Sequence, residues 1–146
     1  MEVLVVEKDR LVRDQVKVGL QQFPEFHVTC VEGYGGMNTL RQKAFDAVFL
    51  GVPADQQEAR RMIEHLRGID RGVDLVVMVE AGMVKELAAE KPRHDIWSIM
   101  PTPLDVTDFF RLVARLRERR SQDANVGGLG SDPRGGSGRY PRSALI

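Results

Sequence analysis

The stretch Val3-Leu4-Val5-Val6-Glu7-Lys8-Asp9-Arg10-Leu11-Val12-Arg13 decides the fold. Four successive apolar residues, three of them β-branched, form a run too short for a helix and suited to a strand buried on both faces. Charge follows at once in Glu7-Lys8-Asp9, and then Leu11, Val12, Val16 and Leu20 fall near helical spacing. A buried strand that passes directly into an amphipathic helix is half of a parallel β-α-β unit.

The same alternation repeats down the chain. Ala47-Val48-Phe49-Leu50 and Leu75-Val76-Val77-Met78-Val79 are further buried runs, and Ile96-Trp97-Ser98-Ile99-Met100 reads as a fifth strand. Phe26-His27-Val28-Thr29-Cys30-Val31 alternates in polarity and suits an edge strand. Between them, Ala59, Met62, Ile63 and Leu66 keep i, i+3, i+4, i+7 spacing. Met83, Val84, Leu87 and Ala88 make a shorter face, and Val106, Phe109, Phe110, Val113 and Leu116 a last one. The order βαβαβαβαβα predicts an α/β fold with a parallel five-stranded sheet, helices on both faces and right-handed crossovers. Ligand sites in such sheets form at the carboxyl ends of strands.

Composition limits the classes of function. The chain has 146 residues, with Lys+Arg 21 against Asp+Glu 21 and 42% hydrophobic residues. That suits one cored domain with no general affinity for nucleic acid or anionic membrane. A single cysteine, Cys30, excludes an internal disulfide and is expected to be a buried small hydrophobe. The start of the sequence has no signal-peptide pattern, and a cytoplasmic location is expected. From Ser121 to Ile146, 12 of 26 residues are Gly, Ser or Pro. The sequence therefore divides into a domain over 1–120 and a flexible tail over 121–146, which ends in a short, stickier Tyr140–Ile146 segment.

The strand ends resemble those of response-regulator receiver domains, the phosphoacceptor modules of two-component signalling. The likeness covers about residues 2–119. Residues 3–13 resemble the family's first strand, acidic pair and first helix. Phe45-Asp46-Ala47-Val48-Phe49-Leu50-Gly51-Val52 resembles its third strand, and Thr102-Pro103-Leu104-Asp105 the Lys-Pro turn before its last helix. The resemblance implies a flavodoxin-like three-layer (βα)5 fold with strand order 2-1-3-4-5.

The family's reactive residues are replaced. Its two Mg²⁺-holding acids fall on Glu7 and Lys8, its phosphoacceptor aspartate on Gly51, its Ser/Thr on Glu80, its lysine on Thr102 and its aromatic switch on Ile99. Glycine offers no nucleophile for an acyl phosphate. Lys8 repels a dication, Thr102 lacks the cation that would neutralise a phosphoryl group, and Glu80 adds negative charge where that group would sit. The expectation is a degenerate pocket of Glu7, Lys8, Gly51, Glu80 and Thr102 with no catalytic residue, metal or cofactor. Lys8 is expected to reach into the space above Gly51 and pair with Glu7 or Glu80.

The function expected is a phosphorylation-independent adaptor or regulator in bacterial signalling, not an enzyme. The family speaks through its fourth helix, fifth strand and fifth helix, here Ala81–Glu90, Ile96–Met100 and Leu104–Arg119. Trp97, Ile99, Val84 and Arg111 are the candidate contacts with a protein partner; the tail is a second route, and a homodimer is possible. The basic side of the last helix, Arg111, Arg115, Arg117, Arg119 and Arg120, suits a solvated face that complements the helix dipole.

Other readings compete. A receiver could be phosphorylated at a non-standard acid such as Asp55 or Asp9, although Asp55 also suits a helix cap. A flavodoxin-type ligand enzyme is disfavoured by Glu7-Lys8-Asp9 after the first strand, and a DNA-binding regulator by the short glycine-rich tail. Gly33-Tyr34-Gly35-Gly36 lacks phosphate-loop spacing and reads as a turn before the second helix. His27, His65 and His94 share no metal-ligand spacing, and Trp97 leans toward the core.

Overall fold

The computed structural model describes residues 1–130, without the side chains of 123–130. These residues fall into two compact units, Met1–Leu104 and a second beginning at Asp105. The first holds β1 (Glu2–Val6), α1 (Arg10–Gln21), β2 (His27–Val31), α2 (Tyr34–Met37), α3 (Thr39–Gln42), β3 (Ala47–Gly51), α4 (Gln56–Ile69), β4 (Asp74–Glu80), a 3-10 turn (Ala81–Met83), α5 (Val84–Ala88), α6 (Lys91–His94) and β5 (Ser98–Thr102). The second holds α7 (Val106–Gly130).

The sheet is parallel throughout, in the order β2-β1-β3-β4-β5. Val3, Leu4, Val5 and Val6 are all fully buried, as a central strand covered on both faces requires. Successive side chains alternate between faces. Leu4, Val6, Val48, Leu50, Leu75, Val77 and Val79 share one core cluster with Ala59, Met62, Ile63 and Leu66 of α4 and Leu87 of α5. The intervening residues, among them Val5, Phe49 and Met78, are buried on the other face, as are Val16 and Leu20 of α1.

Helix starts follow local chemistry. The Asp9 carboxylate caps α1, where its Oδ1 accepts from the Leu11 and Val12 N–H groups at 2.8 and 3.3 Å. Asp55 caps α4 in the same way, accepting from Gln57 and Glu58 at 2.9 and 3.1 Å.

Several elements differ from the sequence reading. Leu11, assigned to the inner face of α1, is 67% exposed; Gly19 takes the inner position beside Val16 and Leu20. The Gly33–Gly36 stretch, read as a turn before a helix, lies mostly inside α2. Gly36 must be small there, because a Cβ would come within 2.5 Å of Val31 Cγ2. The expected helix over Ala81–Glu90 is broken into the 3-10 turn and α5, and α6 follows beyond it. The fifth strand starts and ends two residues later than expected, passing through Pro101, whose missing N–H is tolerable on an edge strand. Cys30 is half-buried rather than in the core, and burial raises its thiol pKa.

In the second unit, Val106 is 70% exposed, and the buried positions are Phe109, Leu112, Val113 and Leu116. The i, i+3, i+4, i+7 face thus starts at Phe109 rather than at Val106. The helix also runs past Arg120, where the sequence division falls, to Gly130. Ser121 to Val126 contain no glycine or proline, so nothing stops the helix before Gly127. Tail residues 131–146 lie outside the described residues.

Candidate functional site

The register places the candidate site. Val6 pairs with Leu50 across β1 and β3, so the next residues, Glu7 and Gly51, stand side by side at the carboxyl end of the sheet. The Glu7 N–H donates to the Val31 carbonyl at 3.0 Å and the Val52 N–H to the Met78 carbonyl at 2.9 Å, which hold both strand ends in line.

Glu7 folds over Gly51. A Cβ built on Gly51 would lie 2.5 Å from Glu7 Cδ and 2.9 Å from Oε2, with Oε1 closer still. Real side chains do not approach this closely, so the carboxylate of Glu7 fills the space that a side chain at position 51 would need. Its Oε2 accepts from the Asp9 N–H at 2.9 Å. Burial pushes the Glu7 carboxyl above its ordinary pKa and is the largest influence; the charge of Asp9 adds to it, while the Asp9 and Lys8 N–H groups and Arg13 oppose it.

The remaining pocket residues do not converge on this carboxylate. Lys8 is exposed and forms no ion pair among the described residues, so the expected Lys8–Glu7 or Lys8–Glu80 pair does not occur. Consecutive residues leaving a strand point to opposite sides, and Glu7 takes the inward direction. Glu80 is exposed at the end of β4, opposite Thr102 in register. Thr102 is half-buried, and its peptide bond to Pro103 is cis.

An open cavity of about 760 Å³ lies over Glu7 and Gly51. Lys8, Asp9, Val52 and Pro53 line it, and so do four residues the sequence reading did not assign to the site: Glu32, Tyr34, Glu58 and Met62. The signal for Tyr34 was its place in a glycine-rich stretch that proved helical. Its ring meets that of His65 edge-on at 5.3 Å.

A divalent cation of the kind receivers use does not fit these residues. Hard cations need several convergent oxygens. Gly51 supplies no side-chain oxygen, Lys8 is cationic, and Asp9 Oδ1 is engaged in capping α1. Among the described residues no group of three or more His, Cys, Asp or Glu could hold a metal ion.

The candidate partner residues are dispersed. Val84 and Ile99 are half-buried and pack against the same core cluster. Trp97 is half-buried just before β5, and its N–H donates to the Leu75 carbonyl at 2.9 Å. Arg111 is on α7 in the second unit, exposed, with Nη1 3.9 Å from Asp108 Oδ1.

No family model matches the sequence, and no curated protein matches it. Solved structures do. A CheY-like response regulator receiver domain protein from Methanospirillum hungatei JF-1 superposes with a TM-score of 0.69 at 14% identity, over 84% of this chain and 97% of that one. The REC domain of AraT, a response regulator from Geobacillus stearothermophilus, gives 0.68 at 16%, over 84% and 97%. A protein described as belonging to a family of streptococcal redox sensors evolved from two-component response regulators gives 0.67 at 20%, over 85% of this chain and 54% of that one. Likeness at these identities is likeness of backbone, and on that ground the chain has the fold of response-regulator receiver domains.

Proposed function

We propose that the chain is a degenerate receiver, a phosphorylation-independent interaction module that acts as an adaptor or regulator in bacterial signalling. The observation that carries this reading is the Glu7 carboxylate lying over Gly51. An acceptor side chain at position 51 is absent, and the room for one is filled. A carboxylate fixed above the sheet also opposes an incoming phosphoryl anion, with no lysine at Thr102 to offset it. The module works without catalysis or a cofactor, in the cytoplasm, and its partner is a protein rather than nucleic acid or membrane. Contact runs through Val84, Trp97 and Ile99 of the first unit, through Arg111 of the second, or through the segment after Arg120, and a homodimer is compatible with any of these.

The rival in which Asp55 or Asp9 accepts the phosphoryl group is weakened by their positions. Each carboxylate is a helix cap that receives two backbone N–H bonds. Titration of the labelled chain with beryllofluoride and Mg²⁺, a phosphoryl mimic, tests the reading by amide NMR. Gly51, Val52 and Glu80 are expected not to shift. A saturable shift at these amides overturns the reading.

A further inference from the structure

Residues 81–95 bury few apolar side chains. The segment is cut into a 3-10 turn of 3 residues, α5 of 5 and α6 of 4, each too short to persist as an isolated helix. Pro92 stands in the first turn of α6, and Asp95 ends that helix in the left-handed region at φ 53°. Of its apolar side chains only Leu87 is buried; Met83 and Val84 are half-buried. By contrast α4 buries Ala59, Met62, Ile63 and Leu66.

Two arginines of α4 hold this segment. Arg60 donates from Nε to Glu90 Oε1 at 2.7 Å, and its Nη2 lies 2.6 Å from the same oxygen. The Glu90 side chain is 7% exposed, with Arg93 Nη1 and His94 Nε2 each 3.8 Å from its Oε2. Arg67 reaches the backbone instead, donating to the carbonyls of His94 at 2.9 Å, Asp95 at 2.7 Å, Val73 at 2.8 Å and Asp70 at 3.3 Å. A planar guanidinium is suited to such divergent acceptors.

From this contrast we infer that residues 81–95 form a releasable strap, latched to α4 by the Arg60–Glu90 pair. With so little apolar burial, the strap opens locally at a free energy well below that of global unfolding. Its release uncovers Leu87, Val84 and Met83, together with the part of the core cluster beneath them. The fold thereby gains a second conformation controlled by a side-chain pair.

Native-state amide hydrogen exchange on the full chain tests this, with Glu90→Gln and Arg60→Lys variants. In the parent chain the amides of 84–94 are expected to exchange faster than those of Leu75–Val79. Each variant is expected to speed the 84–94 amides further by at least about tenfold, since the buried Glu90 carboxylate loses its charge or the geometry of its half-exposed partner, while Val3–Val6 stay unchanged. Arg60→Lys keeps a cation, so it reports even if Glu90→Gln prevents folding. Protection of 84–94 equal to that of β4, unchanged exchange in the variants, or equal acceleration in β1 overturns the inference.

Discussion

Glu7 and Gly51 occupy one another's space: the carboxylate of the first stands where the side chain of the second would begin. Their neighbours Val6 and Leu50 are a register pair of β1 and β3, so the backbone fixes this relationship and the Glu7 rotamer completes it. The two residues should therefore be energetically coupled. Gly51→Ala is expected to cost about 1–3 kcal/mol as an overpacking change. In a Glu7→Ala background it should cost markedly less, because the obstructing carboxylate is gone. Urea denaturation of the four-member cycle reads the coupling directly. Additive effects would mean that Glu7 does not sit over Gly51.

The pH dependence of stability should carry the mark of the same carboxyl. Burial raises Glu7 above its ordinary value of 4.5 in the folded chain. The native state then binds this proton more tightly than the unfolded state does. The contribution of Glu7 is most favourable below the unfolded value, falls as pH rises through the folded value, and is flat above it. Relative to Glu7→Gln, the parent chain should lose stability over that window. The measurement is urea denaturation of both proteins at a series of pH values, and a difference that moves in the opposite direction would contradict the assigned environment.

Asp9 and Asp55 are expected to behave as caps. Asp9→Ala and Asp55→Ala should each lower stability by about 1 kcal/mol, and Asn at either position should recover most of it, since an amide oxygen can still accept the N–H bonds. Thermal or urea unfolding checks this. A neutral effect of alanine would release these acids for another role.

Arg67 ties the α4–β4 turn to the end of the strap. Arg67→Ala leaves four carbonyls without this donor and should cost about 3 kcal/mol or more. Lysine keeps the charge but not the fork, so Arg67→Lys should recover only part of the loss. Denaturation midpoints of the two variants decide it.

Much of this fold was legible in the sequence because its central strands are buried on both faces. The runs at Val3–Val6, Ala47–Leu50 and Leu75–Val79 admit little else, and the periodicity of α4 matched all four buried residues. The last strand was displaced because Pro101 reads as a stop, yet β5 lies at an edge where the missing N–H costs nothing to a neighbour. The helix over Ala81–Glu90 was over-read because four apolar positions conceal how little of it is buried. At the site, the missing side chain at Gly51 was evident, but what fills the gap was not. Charge alone made Lys8 the natural occupant. The alternation of side chains at the end of β1 turns Lys8 to solvent and Glu7 inward, and only the register reveals that the inward residue faces Gly51.

The degenerate receiver proposed above accepts no phosphoryl group at the top of its sheet. The most direct test is incubation of the full chain with acetyl phosphate and Mg²⁺, followed by intact-mass measurement. The proposed function predicts an unmodified mass throughout; a stoichiometric phosphate adduct would contradict it.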